Sequence, residues 1–243
     1  VIDLTLKKLS AYVPVCNAML DLGPVWLDQY VRTILAEALA SGLEAGIVDG
    51  DGKDGPLGMT RKLSGDSGGV FPQKTPVSIT DLGPTSYGTI LDTLSKTADG
   101  RRRDVPRVLL LVNPADYFTK VFPATTIRSA DGTYVNNALP YPTDVIRSSA
   151  VPSGKAVFGI AKKYFAALGT SKGGKLEKSE HAKFLEDQTL YRIKLYGNGR
   201  ARDENAFVLA DISGLKPAVL EVKISDAVEA KVTEMPEASQ GNA

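Results

Sequence analysis

The stretch DLGPVWLDQYVRTILAEALASGLEAGIVDGDG, residues 21–52, decides the fold because it predicts one very long helix. Its apolar side chains recur at the spacing of a helical face, at Leu27, Val31, Ile34, Leu35, Ala38, Leu39, Leu43 and Ile47. Pro24 stands where the first turn of a helix tolerates proline. We predict a helix over about 24–48, which would be ~37 Å long and about twice the usual helix length. Such a helix is typical of a flat or elongated molecule.

The sequence VDGDGKDGPLG, residues 48–58, follows this helix and could hold a metal, bind a phosphate or end the helix. A calcium EF-hand loop beginning at Asp49 needs glycine at its sixth position and glutamate at its twelfth. Those two positions hold Asp54 and Thr60. The pattern therefore argues against an EF-hand.

A phosphate-binding P-loop fits this segment no better. Such a loop needs Gly-Lys-Ser/Thr before a helix, whereas Gly55-Pro56 stands here and the segment follows a helix. A helix C-terminus also carries partial negative charge, which disfavours anions. We therefore predict a structural loop in which Gly50 caps the helix in a left-handed conformation, with adventitious cation binding as the alternative.

The rest of the chain mixes strands and helices. The pattern predicts a strand over Leu4–Val15, a buried strand over Val108–Val112 and a helix beginning at Pro114. Further predicted elements are a short strand in 77–83, a helix in 86–98 with Ile90, Leu91 and Leu94 on one face, and an Asp-Gly turn in 128–135. After these come a helix or long strand followed by a turn at Gly197-Asn198-Gly199, a buried strand in 205–213 and a last strand in 216–224.

Composition narrows the classes of protein that fit. The chain has 243 residues, and 29 basic side chains face 28 acidic ones, so no basic surface for tight nucleic-acid binding is expected. No apolar run approaches the ~18 residues of a membrane helix. The single cysteine, Cys16, excludes an internal disulfide; we predict a small buried side chain in a reducing compartment.

Few side chains are candidates for chemistry. His181 is the only histidine, and its charged surroundings, KLEKSEHAKFLED, predict solvated surface instead of a catalytic triad or metal site. The cluster Arg101-Arg102-Arg103 is interpreted as a solvated loop, or alternatively as a patch for another subunit or a polyanion. We predict no catalytic, cofactor-binding or metal-binding residue.

Several segments, taken in order, resemble the major capsid proteins of tailed bacteriophages. The strand LKKLSAYVPV and the long helix precede VDGDGKDGPLGM, which is similar to the family's frame of a helix, a GDG segment and then Pro-Leu-Gly. Later segments follow in the family's order, namely VNPADYFTKV, RSADGTYV, VIRSSAVPSGKAVFGI and FLEDQTLYRIKLYGNGRARDENAFV. The resemblance extends from Leu4 to Ile224.

The resemblance implies an α+β chain with the Hong Kong 97 (HK97-like) capsid fold. It implies a P-domain of residues 1–82 and 176–214, which carries the long spine helix, an A-domain of residues 83–175 and 215–232, and a frayed tail at 233–243. In the family an N-terminal arm and an extended E-loop precede the first strand. We therefore expect this sequence to lack the arm and most of that loop.

The resemblance also implies a structural role without enzymatic activity or cofactors. The expected protein is a major capsid protein that assembles as pentamers and hexamers into an icosahedral head, in the virion, enclosing double-stranded DNA by weak contact. Scaffold, portal or decoration proteins are further expected partners, assembly is expected in the host cytoplasm, and no membrane is involved.

Some family members join subunits through a Lys–Asn isopeptide bond that a glutamate assists. The resemblance places the asparagine position at Asp187 and the glutamate position at Lys194, so no such cross-link is expected here. Two alternatives remain open: an encapsulin nanocompartment shell protein with the same fold, and a small soluble hydrolase or binding module.

Overall fold

The computed structural model describes residues 5–218 except 22, 24, 130 and 170–174. The described helices are α1 (Asn17–Asp21), α2 (Val25–Asp49), α3 (Pro84–Ser95), α4 (Pro114–Asp116) and α5 (Phe122–Thr125), with a π-helical turn, Tyr117–Val121, between the last two. The strands are β1 (Lys7–Cys16), β2 (Val77–Ser78), β3 (Val108–Val112), β4 (Ile127–Arg128), β5 (Tyr134–Val135), β6 (Thr143–Arg147), β7 (Lys155–Gly159), β8 (Tyr164–Leu168), β9 (Lys175–Lys183), β10 (Gln188–Ala201) and β11 (Phe207–Asp211). None of the helices in this part of the chain could span a lipid bilayer.

A four-stranded sheet lies against the long helix α2. Strand β10 pairs with β1 along one edge and with β8 and β9 along the other, antiparallel in every case. Alternate residues of β10 are buried, as expected for a strand with one covered face. That face meets Leu27, Val31, Leu35 and Leu39 of α2, which recur every four residues along one helical face.

A five-stranded sheet forms the second half of the fold, in the order β2-β11-β7-β3-β6. Strands β3 and β6 are parallel, whereas β7 runs antiparallel to its neighbours β3 and β11. Helix α3 packs on one face through Tyr87, Ile90 and Leu94. Both faces are buried, which explains why β3 is an uninterrupted apolar run.

A third apolar cluster joins the two halves. Val48 at the end of α2 and Met59 in the following loop pack against Leu111, Val157 and Phe207 of the five-stranded sheet. The end of α2 therefore packs on the face of the five-stranded sheet that α3 does not cover.

Most of the predicted elements agree with the structure. The helix predicted over 24–48 is confirmed as Val25–Asp49, and the strand predicted over Val108–Val112 has those bounds. The strand at 77–83, the helix in 86–98, the helix at Pro114 and the buried strand in 205–213 are also confirmed. Of the predicted last strand, residues 219–224 lie outside the described residues.

The predicted turn at Gly197–Gly199 is wrong, because β10 continues through it to Ala201. These glycines leave room for side chains of the neighbouring strand β8. A Cβ atom at Gly199 would lie 2.8 Å from the ring of Tyr164, and one at Gly197 would lie 3.0 Å from Leu168. Glycine here marks a close approach within a sheet.

The prediction that Cys16 is buried is also wrong, since its side chain is exposed. Strand residues point alternately to opposite faces. Val15 points into the cluster beneath α2, so Cys16 faces outward.

The predicted P-domain and A-domain boundaries stay a prediction. Two strands pair across them: β8 lies in the predicted A-domain but pairs with β10, and β11 lies in the predicted P-domain but pairs with β7.

Candidate functional site

The loop after the long helix is built as a structural joint. The Gly50 N–H donates to the Gly46 carbonyl at 3.0 Å, in continuation of the helix. The chain then folds back, and the N–H groups of Gly58, Met59 and Thr60 donate to carbonyls of Gly50, Ile47 and Val48 at 2.8, 3.0 and 3.2 Å. These bonds satisfy the last carbonyls of the helix, which otherwise have no partner.

The prediction that Gly50 is left-handed is wrong, because it is not among the residues with positive φ, whereas Gly52 has φ 85°. Gly50 is required for space instead. A Cβ atom there would lie 2.3 Å from the Pro56 carbonyl oxygen and 2.4 Å from that of Gly46. A Cβ at Gly58 would lie 2.6 Å from the Gly50 nitrogen. Two glycines therefore let two backbone segments touch.

Polar side chains close this joint around Asp49. Its carboxylate accepts hydrogen bonds from the Thr60 hydroxyl and from Gln73 Nε2 at 3.1 Å, and lies 3.3 Å from Arg61 Nε. Arg61 also donates to the Asp49 carbonyl at 3.3 Å, where its charge complements the negative end of the helix. Thr60, Arg61 and Gln73 therefore all contact Asp49, and these contacts hold the loop against the end of the helix.

No metal centre is found in the described ranges. Within residues 5–218, apart from the gaps named above, no group of three or more His, Cys, Asp or Glu side chains could hold an ion. Asp51 accepts the Lys53 N–H at 3.0 Å, a turn contact within the same segment.

Lys74 connects the loop that follows α2 to the segment between β10 and β11. Its side chain is only 9 % exposed, and its ammonium donates to the carbonyls of Glu204 at 2.6 Å and Phe207 at 2.7 Å. Burial lowers the pKa of Lys74 to about 8, against an opposing effect of Glu204 and Asp203. The Glu204 carboxylate in turn accepts the Leu63 N–H at 2.7 Å.

Tyr164 adds a second tie. Its hydroxyl donates to the Leu57 carbonyl at 3.1 Å, and its ring packs edge-on against Phe207. Burial raises the pKa of Tyr164, so it stays protonated as a donor. The Leu57 N–H donates to the Gly199 carbonyl at 2.7 Å. Helix end, loop and both sheets are thus bonded together.

The structure does not bring the other sequence candidates together into a site. His181 is exposed on β9, as predicted. Asp187 accepts a hydrogen bond from Asn17 Nδ2 at 2.8 Å, and Lys194 Nζ lies 2.6 Å from Glu177. Both positions of the expected missing cross-link are therefore engaged with other side chains, and its absence stays a prediction.

The three adjacent arginines have separate roles. Arg103 forms a largely buried ion pair with Asp203 and donates to the Leu94 carbonyl at 2.7 Å. Arg102 pairs with Asp92 on the surface, and Arg101 is exposed. The interpretation as one solvated loop therefore fails for Arg103, whose partner is 100 residues away in the sequence.

The sequence pattern singles out neither Lys74, which bonds to Glu204, nor Asp203, which pairs with Arg103. Each is a charged residue in a polar segment, and nothing in the local pattern distinguishes it from solvated surface. Only the pairing of distant segments brings Lys74 to Glu204.

A match to a sequence model of a protein family identifies the family of this chain. The model described as the phage capsid family matches residues 1–212. The chain belongs to the phage capsid family. No curated protein matches the chain in a sequence search.

Solved capsid structures share the fold of this phage capsid family member. The capsid of an empty GTA particle is 16 % identical with a TM-score of 0.58, covering 86 % of this chain and 74 % of that chain. A chain from Mycobacterium phage Cain is 16 % identical with a TM-score of 0.53, covering 88 % and 73 %. An encapsulin from Synechococcus elongatus is 15 % identical with a TM-score of 0.53, covering 88 % and 78 %.

These findings confirm the resemblance and the α+β HK97-like capsid fold. The capsid protein is a shell protein of phage or encapsulin type, and the family's role is structural and not enzymatic.

Proposed function

We propose that this chain is the major capsid protein of a tailed bacteriophage, assembling as pentamers and hexamers into an icosahedral head that encloses double-stranded DNA. The match of the phage capsid family over residues 1–212 carries the proposal. The predicted A-domain would meet its copies around the five- and six-fold axes, and the predicted P-domain would link neighbouring rings.

Two physical features support this assignment. Helix α2 is 25 residues long and is buried along one face, so it gives the subunit a stiff axis. The formal net charge is +1, so the protein would not bind tightly packed DNA strongly. Repeated weak contacts between subunits are sufficient for a closed shell, because each subunit makes several at once.

The second candidate is an encapsulin compartment, and the similarity to the Synechococcus elongatus encapsulin favours it. The two differ in contents: a phage head would enclose DNA, and a compartment would enclose cargo protein. Scaffold, portal and decoration proteins, and assembly in the host cytoplasm, belong to the first candidate only.

The test is to purify particles of this protein from their natural host, treat them with nuclease and analyse what remains inside. We expect icosahedral particles with nuclease-resistant double-stranded DNA. Particles that hold one cargo protein in fixed proportion and no DNA would instead establish the encapsulin.

A further inference from the structure

One face of the four-stranded sheet is covered by α2, and the opposite face is exposed. Residues 192, 194, 196, 198 and 200 of β10 point away from α2, and each is exposed or half-buried, whereas the residues between them are buried. Strands β1 and β8 add the residues directly opposite these positions, which lie on the same face. We call this surface the open face.

The open face is strongly positive. Within the described residues, Glu177 of β9 is its acidic side chain, and its basic side chains are Lys8, Lys163, Arg192, Lys194, Arg200 and Arg202. Arg192 and Lys194 both pair with Glu177, at 2.7 and 2.6 Å. The other four basic side chains form no ion pair with any described residue. The formal net charge of +1 for the whole chain conceals this uneven distribution.

The end of the open face near β8 holds the densest group of unpaired positive charges. The Arg202 N–H donates to the Lys163 carbonyl at 2.8 Å, so these two residues lie side by side where β10 and β8 part. Arg200 precedes them on the same face, and Lys162 beside them is exposed. Unpaired cations grouped in this way attract a polyanion.

Exposed aromatic rings alternate with these charges. Tyr12 is 70 % exposed, Phe165 is 47 % exposed and Tyr196 is 39 % exposed. Each ring lies directly opposite a basic residue of the neighbouring strand, in the pairs Tyr12–Arg192, Tyr196–Lys8 and Phe165–Arg200. Residues two apart on a strand are ~6.8 Å apart, so rings and cations repeat over ~27 Å of β10.

This combination favours one kind of polyanion. A single strand of nucleic acid offers unpaired bases, which stack on aromatic rings, and phosphates, which contact cations. The bases of a duplex are stacked on one another, so they leave such rings unused. An acidic polypeptide would match the charges and also leave the rings unused. Sheets that carry a helix on one face and exposed rings on the other serve as RNA-binding platforms in unrelated proteins.

We propose that the open face binds single-stranded nucleic acid, with bases stacked on its three rings and phosphates on its unpaired basic side chains. The binding surface is complete within one copy of the chain. The inference therefore goes beyond the proposed function and does not depend on assembly.

The test is a titration of the purified full chain, in its unassembled form, into a fluorescein-labelled oligothymidylate of about 20 nucleotides, longer than the ~16 that one small domain covers. We expect binding at about 50 mM salt, and a log–log salt slope of about −3 from about four phosphate contacts. A duplex of equal length and poly-glutamate should each bind at least about tenfold more weakly. No binding of the oligothymidylate, or equal binding of either competitor, would overturn the inference.

Variants separate stacking from charge. Tyr12→Ala should weaken binding of the oligothymidylate by about fivefold or more, because it removes a stacking ring, whereas Tyr12→Phe keeps the ring and should bind as the wild type does. Tyr12 is mostly exposed, so thermal melting should be unchanged in both. Equal binding of these two variants would show that the rings do not contact bases.

Arg200→Gln should weaken binding and make the salt slope shallower by about 0.7, the contribution of one phosphate contact. Arg101→Gln is the matched control, because it removes the same charge from an exposed loop outside the open face. Its binding and salt slope should equal those of the wild type. If both arginine variants lost the same affinity, the binding would follow overall charge, and the open face would not be the site.

Discussion

At the scale of single residues, the joint after α2 depends on backbone segments that touch where glycine leaves room. Gly58→Ala would place a Cβ 2.7 Å from the Asp49 carbonyl carbon and 2.6 Å from the Gly50 nitrogen. Because neither atom belongs to a flexible side chain, we expect the free energy of unfolding to fall by about 1–3 kcal/mol or more. Chemical denaturation measures this change.

Gly55→Ala is the matched control in the same loop. A Cβ at Gly55 meets nothing within 4 Å, and its φ is not positive. This variant should therefore be neutral or slightly stabilising. Equal losses in both variants would show that the loop is not packed as described.

Lys74 gives a prediction about pH. Its pKa is about 8 in the folded chain and 10.5 ordinarily, so between these values the unfolded chain binds more protons. The free energy of unfolding should rise with pH across that window, by about 1.4 kcal/mol per unit of pKa shift. Below about pH 8 Lys74 is charged in both states, so its titration no longer changes the free energy of unfolding.

Lys74→Met provides the comparison, because it removes the titrating group at similar length. The stability difference between the wild type and this variant should move in favour of the wild type as pH rises from about 8 to 10.5. Parallel stability curves for the two proteins would rule out a lowered pKa at Lys74.

Only part of the structure of the joint could be predicted from the sequence. The failure of an EF-hand or P-loop pattern at residues 48–60 was enough to predict a structural loop. The role of Gly50 as a spacer could not be predicted, because its neighbour Pro56 approaches only after the chain folds back. Lys74 likewise bonds to Glu204, 130 residues away, and Arg103 pairs with Asp203, 100 residues away.

At the scale of elements, the long helix is stabilised by one buried face. Leu35 is 1 % exposed at the centre of that face. Leu35→Ala should lower the free energy of unfolding by about 2–5 kcal/mol, because it leaves a cavity between α2 and the four-stranded sheet. Glu37→Ala, on the exposed face of the same helix, should change it by less than about 0.5 kcal/mol.

Urea denaturation followed by circular dichroism distinguishes these variants. If Leu35→Ala were as stable as Glu37→Ala, the buried face of α2 would have to lie elsewhere.

Elements whose apolar residues follow a clear local spacing could be predicted from the sequence. Features that depend on packing against a neighbouring strand were predicted less well. Helix α2 and strand β3 carry their patterns locally, so both were predicted to within a residue or two. The turn predicted at Gly197–Gly199 failed because glycine serves there for packing against β8 and not for turning. Cys16 was assigned to the core by its apolar neighbours, whereas the strand alternation places it outside.

At the scale of the whole molecule, two sheets share one helix and one bonded joint. The cluster around Val48, Met59 and Phe207 and the hydrogen bonds of Lys74 and Tyr164 connect the halves. These contacts bond the end of α2 to both sheets.

The proposed function requires that this chain build a shell from copies of itself. The most direct measurement is electron microscopy of the purified full chain over a range of concentrations, with mass determined by light scattering. We expect closed shells, or rings of five and six subunits. A folded monomer at every concentration would contradict it.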